Sequence, residues 1–237
     1  MDAMSQAAAD PSPPSPLLLL LEARAVAEYG ALLLSWPLLG RLPRGDGHSV
    51  LVLPGFGASD LSTDPLRRAL ARLGYGVHGW GLERNLGMDR ALRTAMDQRF
   101  EQLYRARGRL SLIGWSLGGV YARELARGAP QRVRRVITLG SPFNHHPRAN
   151  NADRLYRWIN GGSDEIDWEG FERRRVPPPV PCTAIYSKSD GIVDWRCSME
   201  DPAPNTENVE VAGSHLGLGV NLQVLRVIAE RLARPVA

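Results

Sequence analysis

Residues 109–128, RLSLIGWSLGGVYARELARG, join an apolar strand to a helix through a turn rich in glycine. RLSLIGWS predicts a strand, and LGGVYARELARG predicts a helix. Ser116 stands at the junction, between Gly114 and Gly118. Two explanations are open: the small residues let the helix pack closely against a sheet, or the serine needs room because its hydroxyl reacts. On either explanation, the segment predicts a strand–turn–helix unit.

The same alternation runs along most of the chain. SVLVLPG, residues 49–55, predicts a buried parallel strand followed by a turn, and Asp64 with Pro65 predicts the start of a helix that stops at Gly74. Strands and helices then alternate up to NLQVLRVIAERLA near the C-terminus. We therefore expect an α/β fold with a mostly parallel central sheet and helices on both faces. In such sheets, sites form at the carboxyl ends of the strands.

Length and composition favour a single domain. The chain has 237 residues, of which 43% are hydrophobic and 23% are charged, as in ordinary globular proteins. Residues 1–16 are rich in Ala, Pro and Ser, and this composition predicts a disordered tail. The domain is therefore expected to span residues 17–237.

Residues 17–39 are strongly apolar and could be mistaken for a targeting or membrane segment. No Lys or Arg precedes them, as a signal peptide would require, and Glu22, Arg24 and Glu28 interrupt the run too often for a membrane span. We expect an apolar helix that docks on the domain, with contact to a membrane surface as the alternative. The expected location is cytoplasmic, with membrane association left open.

Charge and cysteine content exclude some classes of function. The net charge of +4 comes from arginines spread along the chain, which do not predict a nucleic-acid interface. The sequence has no CxxC or HExxH pattern, so it predicts no metal site. Cys182 and Cys197 are either two buried thiols or a disulfide, and the spacing leaves both open.

Three residues after predicted strands form a candidate catalytic set. A serine hydroxyl is a weak nucleophile and needs a base, which an acid orients. Asp190, in YSKSDGIVDW, follows one strand, and His215, in VAGSHLGL, follows the next, so that both would lie near Ser116. Asp190 could instead only cap its turn, and His215 could be an ordinary loop histidine. Asp194 is a rival acid further from its strand end.

An oxyanion needs two backbone N–H donors, and the sequence offers a candidate for each. Leu117 directly follows the proposed nucleophile, at the start of a helix whose dipole favours negative charge. Phe56 lies in PGFGASD, after the first strand, where glycines would allow close approach. An ordinary glycine-rich turn is the alternative for this loop.

These motifs together resemble the α/β-hydrolase superfamily, close to bacterial lipases and carboxylesterases. The matching segments are LVLPGFGAS, LIGWSLGG, VITLGSPF, YSKSDGIVDW and GSHLGL, which span residues 51 to about 218. The resemblance implies that Ser116 is the nucleophile, His215 the base and Asp190 its acid partner, with no cofactor or metal. Pro54 is a departure, since many relatives have His at this position.

The resemblance also implies that residues 142–179 are a short cap over the site. Tyr156 and Trp158 in the cap, with Trp115 beside the nucleophile, are the predicted substrate contacts, although aromatic residues at helical spacing can be plain packing. Ile159, Trp168 and Phe171 belong to the same set of cap residues, and His145 and His146 are interpreted as loop histidines.

The expected activity is hydrolysis of carboxylic esters with short to medium acyl chains through an acyl-enzyme. The alternatives are a lipase for longer chains, a thioesterase or acyltransferase with the same triad, and a binding module without catalysis.

Overall fold

A computed structural model describes residues 11–145, 149–153 and 168–236 of the chain. Its centre is a sheet of six parallel strands in the order β2-β1-β3-β4-β5-β6. The strands are β1 (Ser49–Leu53), β2 (Gly76–Gly79), β3 (Leu110–Trp115), β4 (Val133–Leu139), β5 (Cys182–Tyr186) and β6 (Thr206–Glu210). All carboxyl ends therefore lie at one edge, as expected for an α/β fold.

Helices cover both faces of the sheet. They are α1 (Pro16–Leu20), α2 (Ala25–Ser35), α3 (Asp60–Arg72), α4 (Arg90–Arg107), α5 (Leu117–Gly128), α6 (Trp168–Arg175) and α7 (Leu222–Leu232). Apolar residues of α2, α3 and α7 form the core on one face, and those of α4 and α5 form the core on the other.

Strand β1 shows why the strands read as continuous apolar runs. Val50 and Val52 point into the core beneath α3 and α7, whereas Leu51 and Leu53 point into the core beneath α4 and α5. Successive side chains alternate between faces, and both faces are covered, so the run from Val50 to Leu53 is apolar on both sides.

Helix α3 begins earlier than the sequence predicts. It starts at Asp60 rather than at the predicted Asp64–Pro65 pair, so Pro65 lies inside it. The Asp60 carboxylate accepts hydrogen bonds from the backbone N–H groups of Trp80 and Gly81, both at 3.0 Å. These contacts with the loop after β2 hold the first turn of α3 in place. The local sequence does not predict them, because they join residues that lie about twenty positions apart.

The N-terminal segment, residues 16–41, comprises α1, α2 and two 3₁₀ turns, Leu21–Arg24 and Trp36–Arg41. Leu32 and Leu39 are buried in the core shared with α3 and α7. Pro14, within the predicted tail, contacts the domain, because Asn151 donates a hydrogen bond to the Pro14 carbonyl at 3.1 Å. The rest of the predicted tail, residues 1–10, lies outside the described residues. In the described ranges, no helix is long and apolar enough to cross a membrane.

Both cysteines are buried and neither forms a disulfide, so of the two alternatives the structure has two buried thiols. Burial raises the pKa of Cys182 to about 12. The thiol is therefore protonated and unreactive at neutral pH.

Candidate active site

Ser116 occupies a strained turn at the carboxyl end of β3. Its backbone angles, φ 52° and ψ −124°, lie in a region that residues other than glycine rarely adopt. A Cβ on Gly114 would overlap the backbone of Gly118, and one on Gly118 would overlap the Leu53 carbonyl. The glycines therefore allow close packing of α5 on the sheet, as the first explanation holds, and this packing accommodates the strained serine turn.

His215 and Asp190 form a buried hydrogen-bonded pair at the same edge of the sheet. The His215 Nδ1 to Asp190 Oδ2 distance is 2.6 Å, with the two side chains 4% and 2% exposed. Asp190 Oδ1 accepts hydrogen bonds from the backbone N–H groups of Ile192 and Val193, both at 2.8 Å. The carboxylate thus caps its turn with one oxygen and orients the imidazole with the other.

The surroundings of His215 favour its protonated form. Burial alone would lower its pKa, but the charge of Asp190, the hydrogen bond to Asp190 and the charge of Glu22 outweigh this effect and raise the pKa of His215 above its ordinary value. An imidazole in this environment is well suited to accept a proton from a hydroxyl.

Asp194, the rival acid, is engaged elsewhere. It caps the turn Trp195–Ser198, and its Oδ2 lies 2.7 Å from Arg196 Nη2. Burial alone would raise the pKa of Asp194, but the hydrogen bonds to Arg196 and its charge together outweigh this effect and lower the pKa below its ordinary value. The Asp194 carboxylate is therefore engaged by its ion pair with Arg196.

A cavity of about 350 Å³ opens beside Ser116. Phe56 and Leu117, the predicted oxyanion donors, line it together with Ser116. The rest of its described lining is mostly apolar but includes five charged side chains: Met88, Arg93, Met96, Val120, Tyr121, Glu124, Pro142, Asn150, Ala152, Asp153, Phe171, Arg173, Arg174, Ile192 and Val193. Such a lining suits an apolar group of modest size.

Trp115 is not part of that lining, contrary to its prediction as a substrate contact. Its indole N–H donates a hydrogen bond to the His215 carbonyl at 3.0 Å, and its ring packs against Gly219 on the other face of the sheet. Side chains alternate along β3, so the residue before the nucleophile points away from the cavity. Trp115 instead ties the His215 loop to β3.

The described part of the predicted cap contributes helix α6. Phe171 lines the cavity, and Trp168 is half exposed and packs edge-on against Phe171. The buried Arg123 of α5 donates hydrogen bonds to the Arg174 and Arg175 carbonyls, at 3.0 and 3.1 Å, and so holds the end of α6. Tyr156, Trp158, Ile159 and His146 lie outside the described residues, and His145 lies in a loop.

The loop that carries Phe56 is held by a residue that the sequence analysis missed. Asn85 is fully buried and donates a hydrogen bond to the Pro54 carbonyl at 2.9 Å, while its backbone N–H and C=O bond Ala58 and Gly57. A Cβ on Gly55 would lie 3.1 Å from the Ser116 Cβ, so the loop passes directly beside the serine. Asn85 lies in no sequence motif. Only its hydrogen bond to Pro54, about thirty residues earlier in the chain, reveals that it supports the Phe56 loop.

Comparisons with known proteins agree with this architecture. No protein-family model matches the chain. A stretch of 103 residues is 31% identical to a pimeloyl-[acyl-carrier protein] methyl ester esterase of Aliivibrio salmonicida, which covers 41% of this chain and 37% of that protein. The matched region is therefore well under half of the curated relative's length.

Solved structures match over most of the chain. A monoacylglycerol lipase from Paleococcus ferrophilus superposes with a TM-score of 0.56 and 17% identity, over 81% of this chain and 96% of that one. The thioesterase domain from the curacin biosynthetic pathway gives a TM-score of 0.53 and 15% identity, over 81% and 93% of the two chains. The chain therefore has the α/β-hydrolase fold.

Proposed function

We propose that the protein is a serine hydrolase of carboxylic esters, with Ser116, His215 and Asp190 as its catalytic triad. The observation that carries the proposal is the combination of a strained serine, which lines a cavity, with a buried His–Asp pair at the same sheet edge. Structural neighbours named as lipases and a thioesterase support the same chemistry by analogy of fold.

In the first half of the reaction, Ser116 Oγ attacks the acyl carbonyl carbon as His215 Nε2 takes its proton. Asp190 Oδ2 accepts the Nδ1 proton, which keeps Nε2 free as the base and stabilises the imidazolium that forms. The tetrahedral intermediate then collapses, and the imidazolium gives its proton to the leaving alcohol. Water repeats these steps on the acyl-enzyme and releases the acid and free Ser116.

The negative oxygen of each tetrahedral intermediate needs hydrogen-bond donors. The proposed donors are the backbone N–H groups of Leu117, the first residue of α5, and Phe56, in the loop that Asn85 holds. The N-terminal end of α5 adds a favourable dipole, and a donor of this kind contributes roughly 10²–10³-fold to kcat.

The size of the cavity favours short to medium acyl groups. Its volume of about 350 Å³ lies near the lower end of the range for ligand pockets. Met88, Met96 and Val120 supply flexible and apolar contacts for an alkyl chain. We therefore propose that esters of about two to eight acyl carbons fit the cavity better than long chains.

A substrate panel tests this proposal. The kcat/KM of p-nitrophenyl esters of increasing acyl length is compared with that of matching acyl-CoA thioesters, and Ser116→Ala serves as the blank. A maximum at short to medium length is expected. A maximum at the longest chains would identify a lipase, a preference for thioesters would identify a thioesterase, and no reaction of Ser116 with a fluorophosphonate probe would contradict catalysis by this serine.

We also propose that the N-terminal segment rests on a lipid surface. Apart from Tyr29 and Arg41, its exposed positions carry no polar side chain, with Leu20, Val26 and Leu34 at 76%, 78% and 85% exposure, while Glu22 and Glu28 face the domain. An apolar band directed away from the domain can be buried at the boundary between lipid headgroups and acyl chains.

Vesicle binding tests the lipid contact. The double variant Leu20→Gln/Leu34→Gln is expected to pellet less with phosphatidylcholine vesicles than the wild type. Leu61→Gln, which changes an equally exposed leucine (84%) on α3, is the matched control and should bind as the wild type does. Absence of wild-type pelleting, or equal loss in both variants, would contradict the proposal.

A further inference from the structure

The N-terminal segment places a buried carboxylate between the two loops that carry Asp190 and His215. Glu22 is 4% exposed, although no cation is paired with it in the described structure. Its Oε1 accepts hydrogen bonds from the backbone N–H groups of Gly191 at 2.8 Å and His215 at 2.9 Å, and its Oε2 accepts one from Leu216 at 2.8 Å.

We infer that Glu22 is a positioning residue that fixes the Asp190 and His215 loops relative to each other, an inference that rests on the proposed function. Gly191 directly follows Asp190, and the other two donors are His215 and its neighbour Leu216. One rigid carboxylate therefore spans the backbones of both members of the His–Asp pair, about 170 and 190 residues away in sequence.

Neighbouring contacts of the same segment reinforce this arrangement. Arg24 donates hydrogen bonds to the Ser189 hydroxyl at 2.9 Å and the Gly213 carbonyl at 3.0 Å, one residue before Asp190 and two before His215. Glu28 accepts one from the Ser214 N–H at 2.9 Å. Arg24 also reaches both loops, but of these three residues it is Glu22 that bonds the backbone of His215 itself and of the residue after Asp190, so its loss should misplace the imidazole most.

The charge of Glu22 also acts on the imidazole itself. Among the described residues, the charged groups that raise the pKa of His215 are Asp190 and Glu22, against the opposing effect of burial. The ends of the neighbouring strands β3 and β4 present Trp115 and Gly140 to the His215 loop, and neither residue carries a charge. Removal of the Glu22 charge should therefore shift the acid limb of the pH profile to lower pH.

The test compares Glu22→Gln with Leu32→Ala, a variant of the same segment that opens a core cavity but leaves the loop contacts intact. Glu22→Gln has nearly the same shape but presents an amide N–H₂ to backbone donors, so kcat should fall by about 10- to 100-fold with KM within about twofold. Leu32→Ala should melt about 5–15 °C lower, with wild-type kcat and an unmoved acid limb. Wild-type kcat in Glu22→Gln, or the same kinetic losses in Leu32→Ala, would overturn the inference.

Two further measurements keep the test decisive. If Glu22→Gln does not fold, Glu22→Asp is tested instead, because it keeps the charge on a shorter side chain. Its kcat should fall more than about threefold, with the acid limb of the pH profile unmoved. A wild-type kcat in Glu22→Asp would contradict the positioning role. If Ser116→Ala retains turnover, the proposed function fails, and Glu22 is then judged by proton NMR alone. The downfield Nδ1–H resonance of His215 should move in Glu22→Gln but not in Leu32→Ala, and an unchanged resonance would overturn the role.

Discussion

Replacement of Asp190 by Asn tests the acid of the proposed triad, and the structure fixes how the new side chain must sit. The Asp190 oxygen that accepts hydrogen bonds from Ile192 and Val193 must remain an acceptor, because a reversed amide would set its N–H₂ against two backbone donors. Loss of these two buried bonds would cost about 2–6 kcal/mol in all. The amide N–H₂ therefore faces His215 Nδ1.

An amide donor at this position forces the wrong tautomer on the imidazole. His215 Nδ1 must then accept a hydrogen bond, which moves the proton to Nε2 and removes the base that Ser116 requires. The expected loss in kcat is about 10⁴-fold, or about 5 kcal/mol of transition-state stabilisation. The folded structure should be retained, because the side chain keeps its shape and its turn-capping bonds.

Asp194→Asn is the matched control for the same chemical change four residues away. It weakens an ion pair with Arg196 and touches no catalytic group, so kcat/KM should stay within about threefold of the wild-type value. Both variants and the wild type are assayed with p-nitrophenyl butyrate, and circular dichroism verifies folding. If Asp194→Asn is the more damaged enzyme, or if Asp190→Asn retains more than about a tenth of the wild-type kcat, the choice of acid is wrong.

Four other expected outcomes follow from the same structure. Ser116→Ala should lose at least about 10³-fold in activity. Ser116→Gly should be equally inactive but melt at a higher temperature than Ser116→Ala, since glycine relieves the backbone strain at φ 52°. Equal melting temperatures of the two variants would show that the turn stores no strain. The acid limb of the wild-type kcat/KM profile should lie above pH 6.5, because His215 must be neutral to act and its pKa is raised; a lower midpoint would contradict that environment. Asn85→Ala should lower the free energy of unfolding by about 1–3 kcal/mol and reduce kcat, because the loop that carries Phe56, the proposed oxyanion donor, loses its support; a change in KM alone would contradict that role. Deletion of residues 1–39 should lower the melting temperature, since buried leucines of the segment belong to the core, and an unchanged melting temperature would show that the segment does not stabilise the domain.

The sequence by itself determined the order of strands and helices and the residues that follow the strands. Val50 and Val52 alternate with Leu51 and Leu53 because a covered strand needs apolar groups on both faces, and this pattern is visible locally. The α/β fold was therefore predictable. The placement of Ser116 at a strand end was also predictable, because the glycines that flank it are neighbours in the sequence.

Only the tertiary structure decided which partners these residues have. The sequence left Asp194 as a rival of Asp190, placed Trp115 in the substrate site and treated Glu22 as an interruption of an apolar run. In the fold, Arg196 engages Asp194, the pleat of β3 turns Trp115 to the opposite face, and Glu22 accepts hydrogen bonds from the loops of both Asp190 and His215. Hydrophobic periodicity reports which side of an element is buried, but the partner of a buried polar group comes from elsewhere in the chain. The donors to Glu22 lie about 170 to 190 residues away from it, and folding alone brings them together.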